Sequence, residues 1–217
     1  DRGWKGLQQS VLDYATSAFG KSASVLPRSW FASQVIGERA YIDIEKIDNT
    51  KKSFASALHG VTEAEGALFG FESFLVGKKS RWFTDEDRMA CILPKSIADI
   101  LSVSENEIGE VSVNIMGQNY LVIGVVNNEL VDRMRDLDDE SPMPVDTVAE
   151  AKKMEEMAGL DPRLMDTAAI ETFTHLLAQN VVLMPYRQVI DLGGTLRSIS
   201  LANFENPEDL TDLVESF

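Results

Sequence analysis

The chain has 217 residues, of which 44% are hydrophobic and 25% charged, an ordinary composition for one large globular domain or two small ones. With 20 Lys and Arg against 35 Asp and Glu, the net charge is −15. This charge repels phosphate backbones and anionic lipid head groups, so nucleic acid is not expected as a partner. The sequence has no apolar run of about 20 residues, and no segment of it is expected to span a bilayer.

The first part of the chain alternates between helix and strand patterns. A helix ending near Gly20 is predicted from apolar residues at helical spacing, which are Trp4, Leu7, Val11, Tyr14 and Ala18. Residues 24–29 and 40–45 are predicted strands, and in the second strand isoleucines alternate with polar residues. Thr62 followed by Glu65 is a capping box, which predicts a short helix in the otherwise ambiguous region 51–74.

The middle of the chain predicts a strand, a helix and a hairpin in that order. The strand contains Cys91, interpreted as a small buried residue, and ends at Pro94. Apolar residues at helical spacing follow. The hairpin spans residues 110–126, because two alternating apolar stretches flank a turn at residues 116–119, where glycine and asparagine tolerate positive φ.

Residues 127–159 are rich in acids and contain few β-branched residues, which indicates a solvated arm. Helices are predicted over residues 148–158 and 164–179. The second has an apolar stripe of Met165, Ala169, Phe173, Leu176 and Leu177. Residues 181–184 and 195–201 are predicted strands, and a last helix is predicted to begin at Asn206 and Pro207.

The sequence lacks the residues that most types of catalytic site require. Two histidines, His59 and His175, and one cysteine cannot supply a structural zinc site, and the nucleophile-elbow and phosphate-loop patterns do not occur. His175 is expected to be a partly exposed or hydrogen-bonded structural residue. Acids at residues 136–140 have the ligand type that Ca²⁺ prefers, but they lack the glycine and the final glutamate of a calcium loop. A solvated acidic loop is the stronger interpretation, and no cofactor or metal site is predicted.

Three motifs in order carry a family resemblance. They are Arg81-Trp82-Phe83 with Asp85 shortly after, Val122-Ile123-Gly124-Val125 at the end of the hairpin, and Met184-Pro185-Tyr186. Together they resemble the MacB-like periplasmic core domain of FtsX-type ABC transporter permeases. The resemblance covers most of residues 58–201.

The resemblance implies an α+β, two-lobed extracytoplasmic domain. A porter-like αβ lobe would combine residues 1–58 with 179–217, so that both chain ends complete one sheet. A mainly β lobe would be inserted at residues 59–178, with the hairpin at 110–126 and the acidic helical arm at 127–178. The chain begins with Asp1 and has no signal segment, as expected of an excised piece of a longer protein.

The function implied is coupling, without catalysis, on the periplasmic side of the bacterial inner membrane. ATP-driven motion of the membrane helices would be coupled to export or release of a substrate, with ATP hydrolysis in a separate nucleotide-binding subunit or domain. The implied partners are the protein's own transmembrane helices, the ATP-binding subunit, a second permease in a homo- or heterodimer, and a periplasmic partner protein. The fragment itself is expected to be soluble.

Arg81, Trp82 and Phe83 have two interpretations, a partner contact surface and a structural role in the core, and the structural role is favoured. Two other functions are alternatives to transport. A secreted Ca²⁺-assisted hydrolase around residues 136–140 would have a deep pocket with perturbed carboxylates. A ligand-binding or lipid-carrying module would have an apolar cavity between its lobes.

Overall fold

The computed structural model describes residues 6–32, 34–35, 38–47, 51–136, 139–158 and 173–204. Its helices are α1 (Gln9–Phe19), α2 (Glu63–Leu68), α3 (Lys95–Leu101), α4 (Asn128–Val131), α5 (Thr147–Ala158) and α6 (Tyr186–Asp191). Its strands are β1 (Ser24–Ala32), β2 (Gln34–Val35), β3 (Glu38–Arg39), β4 (Ile42–Lys46), β5 (Lys52–Ala55), β6 (Ala57–Val61), β7 (Ala90–Pro94), β8 (Ser112–Ile115), β9 (Gln118–Val126), β10 (Val181–Pro185) and β11 (Thr195–Ala202). Within these residues no helix is both long and apolar enough to cross a membrane.

Nine of these strands form one mixed sheet in the order β11-β1-β6-β10-β7-β9-β8-β4-β5, and β2 and β3 form a separate pair. The pairs β6–β10 and β7–β9 are parallel, and the other neighbours in the large sheet are antiparallel. Helices pack on a sheet that contains both strand directions. The α+β class predicted from the sequence is therefore confirmed.

Strand β6 lies inside the sheet and joins the two ends of the chain. All five of its residues are buried, and it pairs antiparallel with β1 and parallel with β10. Strand β1 pairs in turn with β11. The expectation that both chain ends share one sheet therefore agrees with the strand pairing.

A single residue, Ser56, separates β5 at one edge of the sheet from β6 in its interior. Consecutive Cα atoms are about 3.8 Å apart, so Ala55 and Ala57 lie within about 7.6 Å of each other. The sheet must therefore coil strongly enough to bring its β5 edge back to β6. The backbone N–H of Ser56 donates to the carbonyl of Asn180 at 2.7 Å and fixes this corner.

Two hydrophobic clusters pack on the sheet, as the alternation of side chains across a strand requires. Leu58 and Cys91 belong to the first cluster, which also contains Ile97, Ala98 and Leu101 of α3. Ala57 and Ile92, which neighbour Leu58 and Cys91 in sequence, belong to the second cluster with Phe71, Trp82 and Phe83. The predicted burial of Cys91 is confirmed.

The division into two lobes stays a prediction. Strands assigned to different lobes are neighbours in the large sheet, since β10 pairs with β7. Strand β4, assigned with β5 to the lobe of the chain ends, pairs with β5 on one side and with the hairpin strand β8 on the other. Alternation in a sequence identifies a strand, but it does not identify the strand's partner.

The predicted N-terminal helix forms as α1, but the residues assigned to its packing face are on the wrong side. Val11 and Tyr14 are exposed, whereas Ala15 is the buried residue of the helix. Trp4 lies outside the described residues. The apolar spacing therefore predicted the helix correctly and the buried face incorrectly.

The helix predicted over residues 164–179 is absent from its described part. Residues 173–177 are not helical, His175 forms an isolated β-bridge with Val145, and a short 3₁₀ turn follows at Ala178–Asn180. The acidic arm supplies a hydrogen-bond partner for the backbone of this segment, because the Leu176 N–H donates to the carbonyl of Pro144 at 2.8 Å. Residues 159–172 and the predicted C-terminal helix from Asn206 lie outside the described residues.

The predicted hairpin is confirmed as β8 and β9, with a shorter turn than expected. Gln118 already pairs with Ile115, which leaves Met116 and Gly117 as a two-residue turn. Their φ angles are 51° and 81°. Positive φ at both central residues is the pattern of a type I′ turn, which glycine adopts freely and methionine does not.

Replacing Met116 with asparagine should stabilise the protein, because asparagine tolerates positive φ and favours this turn. We expect the free energy of unfolding to rise by about 0.5–1 kcal/mol, measured by urea denaturation as a higher midpoint with an unchanged slope. The matched variant Gly117→Ala should lower the free energy of unfolding by about 1–2 kcal/mol, because alanine is strained at positive φ. A lower midpoint for Met116→Asn would contradict the turn assignment.

Candidate functional site

A cleft with a volume of about 680 Å³ opens at the carboxyl ends of the parallel strands β6 and β10. Crevices at this position of an α/β sheet are frequent ligand sites. Its walls are α1, α6 and the loop of residues 83–88, and β1 contributes Val25 and Pro27. The cleft lies beside the sequence motif Arg81-Trp82-Phe83, of which Phe83 lines it.

The loop of residues 83–88 is held by Asp87. Both carboxylate oxygens of Asp87 accept hydrogen bonds from the Arg81 guanidinium at 2.7 Å. Oδ2 also accepts from the backbone N–H of Thr84 at 2.7 Å and from its hydroxyl at 3.0 Å. This set of bonds fixes the shape of the loop and leaves the Arg81 side chain about half exposed.

The hydrogen bonds from Arg81 lower the pKa of Asp87 to about 2, and those from Thr84 act in the same direction. Asp87 in turn raises the pKa of Arg81. Both groups are charged throughout the neutral pH range, so this pair orders the loop and is not suited to proton transfer.

A second set of bonds joins the loop to α2 and to itself. Glu63 of α2 accepts a hydrogen bond from the backbone N–H of Asp85 at 2.7 Å. The Arg88 guanidinium donates to the carbonyls of Asp85 and Asp87, both at 2.8 Å. The wall of the cleft is therefore ordered by charged side chains that hydrogen-bond to the backbone of the loop.

Trp82 is buried behind this wall, and the Phe83 side chain, at the start of the loop, is buried as well. The Trp82 ring stacks on Phe71 with centroids 5.2 Å apart, and its Nε1 donates to the carbonyl of Thr62 at 3.2 Å. Gly66 of α2 permits this packing, because a Cβ there would lie 2.3 Å from the Trp82 ring. Trp82 and Phe83 therefore have the buried positions that a structural role requires. Arg81 is the exposed member of the motif.

A buried ion pair lies beneath α2. The Arg28 guanidinium of β1 hydrogen-bonds to Oε1 of Glu65, and both side chains are almost completely buried. The other oxygen of Glu65 accepts from the backbone N–H of Thr62 at 2.8 Å, which completes the predicted capping box. Arg28 also lies 4.7 Å from the centroid of the Phe69 ring. The capping pattern identified Glu65, but no sequence signal linked it to Arg28.

His59 on β6 is fully buried near this pair. Among the described residues no group hydrogen-bonds to either of its ring nitrogens. Burial, and secondarily the positive charge of Arg28, lowers the pKa of His59 to about 3. The ring is therefore neutral at physiological pH, and it lies outside the lining of the cleft.

His175 lies apart from the cleft, in the extended segment after the acidic arm. Its Nδ1 lies 2.6 Å from the carbonyl of Met143, and its Nε2 lies 2.7 Å from Glu140. The prediction of a hydrogen-bonded structural histidine is confirmed, although the residue is not on a helix.

Asp136 and Glu140, at the two ends of the acidic segment, are linked by local hydrogen bonds. The backbone N–H of Glu140 donates to Asp136 at 3.1 Å, and the Glu140 carboxylate is engaged with His175. Leu137 and Asp138 lie outside the described residues. In the part of the chain that the structure describes, no group of three or more His, Cys, Asp or Glu residues is placed to hold a metal ion.

The cleft is suited to recognition by charge and hydrogen bonds. Its described lining contains acids and two arginines, Arg88 and Arg187, but no His, Cys, Ser or Lys. Burial raises the pKa of the Tyr186 hydroxyl in the lining, so this group stays protonated. Burial also raises the pKa of the Cys91 thiol, which lies in the core and is unreactive.

This architecture is the fold of extracytoplasmic domains of ABC-type transporters. The extracellular domain of the noncanonic ABC-type transporter YknZ from Gram-positive bacteria is 13% identical, with a TM-score of 0.51, and the match covers 95% of this chain and 78% of that one. The periplasmic region of MacB from Actinobacillus actinomycetemcomitans is 16% identical, with a TM-score of 0.52, and the match covers 97% of this chain and 73% of that one.

The likeness to these two structures is one of fold. No protein-family model matches the sequence, and a search of curated proteins found no match. The fold expected from the three sequence motifs is therefore confirmed by the architecture, over nearly the whole chain.

Replacing Glu65 with glutamine should strongly destabilise the protein, because it leaves the Arg28 charge buried without its partner. We expect a loss of about 3 kcal/mol or more in the free energy of unfolding, measured by urea denaturation. The matched control is Asp99→Asn, which breaks the exposed Lys95–Asp99 pair on α3 and should cost less than about 0.5 kcal/mol. Equal effects of the two variants would contradict the role assigned to the buried pair.

His59 should make folding stability depend on pH below about 6.5, the model-peptide pKa of histidine. Its pKa in the fold is lowered, so below pH 6.5 the unfolded chain binds a proton that the folded protein does not. Stability therefore falls as the pH falls, by at most about 1.4 kcal/mol per pH unit.

In His59→Leu this contribution should disappear between pH 7 and 5. The measurement is urea denaturation of both proteins across that range, where His175 and all carboxylates are common to the two. Identical pH slopes would show that His59 does not titrate differently in the folded and unfolded states.

Proposed function

We propose that this chain is a non-catalytic extracytoplasmic domain of an ABC transporter permease, located on the periplasmic side of a bacterial inner membrane. The observation that carries the proposal is the shared fold. The match to the extracellular domain of one transporter covers 95% of the chain, and the match to the periplasmic region of another covers 97%.

The domain acts by transmitting motion. ATP hydrolysis takes place in a separate nucleotide-binding subunit or domain and moves the membrane helices, and the domain couples that motion to export or release of a substrate. Coupling of this type requires rigid bodies joined at hinges, and it needs no residue with a tuned pKa. The nine-stranded sheet, with β6 paired on both edges, gives the domain a continuous hydrogen-bonded framework through which motion can be transmitted.

The partners of the domain are its own transmembrane helices, the ATP-binding subunit, and a second permease in a homo- or heterodimer. A periplasmic protein contacts the two lobes, the first formed by residues 1–58 and 179–217 and the second by residues 59–178. Within the motif Arg81-Trp82-Phe83, Arg81 makes the contact, and the buried rings of Trp82 and Phe83 support it.

The two alternatives have less support. In a Ca²⁺-assisted hydrolase the acids at residues 136–140 would face a deep pocket, whereas Glu140 bonds to His175 and the 680 Å³ cleft is lined by other residues. A lipid-carrying module would have an apolar cavity, whereas acids and arginines line much of this cleft. A cleft lined by acids and arginines fits a contact with a protein better than one with a lipid.

Location can be tested by thiol labelling of the full-length protein in cells. Glu72 is exposed, and the native Cys91 is buried, so Glu72→Cys introduces a reactive thiol over a low background. A membrane-impermeant maleimide should label this variant in spheroplasts as strongly as in lysed cells.

The unmodified protein should stay unlabelled under both conditions, and a cysteine placed in the ATP-binding subunit should react only after lysis. Labelling of Glu72→Cys that requires lysis would place the domain in the cytoplasm and would exclude the proposal. Release of the labelled protein into the medium would favour a secreted protein instead.

A further inference from the structure

The outer face of β4, β5 and β8, opposite the first hydrophobic cluster, presents exposed apolar side chains. On β4, Ile42 and Ile44 point into the core, so Asp43 and Glu45, which alternate with them, point outward. The strand register places Phe54 of β5 beside Asp43, and Lys52 and Asn114 on either side of Glu45. We call this surface, with Tyr41, Ile47 and Met116, the outer face.

Two aromatic rings form the centre of the outer face. The Tyr41 and Phe54 rings contact each other with centroids 5.6 Å apart, yet the two residues remain 57% and 58% exposed. Ile47 and Met116 on the same face are also exposed. Exposed apolar groups that cluster in this way mark interaction sites, and aromatic residues and methionine are enriched in the cores of protein interfaces.

A cavity of about 400 Å³ opens beside the rings. Phe31 and Tyr41 line it, and its charged lining residues are the two acids Asp43 and Glu45 and one lysine, Lys52. Glu45 is paired with Lys52 at 3.2 Å, whereas within the described part of the chain no ion pair reaches Asp43. Aromatic walls beside a carboxylate are the chemistry that recognises a cationic side chain.

We propose that the outer face docks a segment of a partner protein that carries both apolar and basic side chains, with one arginine or lysine entering the cavity beside Tyr41 and Asp43. The occupant follows from charge complementarity. The net charge of −15 attracts a basic partner and disfavours a second copy of this chain. The aromatic pair supplies the apolar contact, and Asp43 selects the basic side chain.

This inference adds a binding surface that the transporter proposal does not contain. The peptide-binding experiment tests this surface on the isolated domain, whereas the thiol-labelling experiment tests the location of the full-length protein. Either experiment can fail while the other succeeds.

The probe is a hexapeptide, acetylated and amidated, in which arginine alternates with leucine and valine. Binding is measured by titrating it into ¹⁵N-labelled domain and following the backbone amide shifts. We expect shifts concentrated at β4 and at the hairpin turn of Met116 and Gly117. Binding should be weaker at 0.5 M salt, and the same peptide with glutamate for arginine should produce no shifts.

Asp43→Asn should weaken peptide binding about fivefold, because it removes the unpaired carboxylate without changing the size of the side chain. Glu72→Gln is the matched control, since it removes one exposed carboxylate outside the outer face and should change binding less than twofold. Both positions are exposed, so both variants should fold with unchanged thermal midpoints.

Equal weakening by the two variants, or shifts spread over the whole acidic surface, would show only non-specific attraction and would overturn the proposal. So would a dimer in sedimentation equilibrium that Tyr41→Ser dissociates, because the occupant would then be a second copy of the chain.

Discussion

The burial of β6 on both faces and both edges is the constraint on which the rest of the structure depends. Its neighbours β1 and β10 satisfy its backbone, and the two hydrophobic clusters cover its alternate side chains. A five-residue strand in this position cannot stay paired unless the two ends of the chain reach it. The corner at Ser56 then brings the far edge of the sheet back to the same strand.

The sequence allowed most elements to be predicted, because local patterns determine them. Turn residues and alternation fixed the hairpin, and the Thr62–Glu65 capping box fixed α2. Strand pairing could not be predicted in the same way. The position of β4 between β5 and β8 depends on contacts between residues distant in sequence. Residues 173–177 do not form the predicted helix, and the acidic arm supplies a backbone partner for Leu176.

The candidate site was predictable only in part. The motif Arg81-Trp82-Phe83 was identified from the sequence, and the structure separates it into one exposed cation and two buried rings. Asp87 holds the loop through Arg81, and no local pattern in the sequence indicates this role. The link between Arg28 and Glu65 spans 37 residues, and no local pattern reports it. Burial and pairing of charges are tertiary properties, which explains why these roles were not visible in the sequence.

The register of β1 and β11 has a mechanical consequence. Ser24, the first residue of β1, pairs with Ala202, the last residue of β11, so both segments leave the sheet at the same point. Antiparallel ladder bonds lie perpendicular to the strands. A force that pulls these two segments apart therefore loads the bonds one at a time and unzips the pair from Ser24 inward, whereas a force that moves both together loads none of them. The segments at Ser24 and Ala202 can therefore displace the sheet as a unit when they move together. When they move apart, the β1–β11 pair is the first to separate.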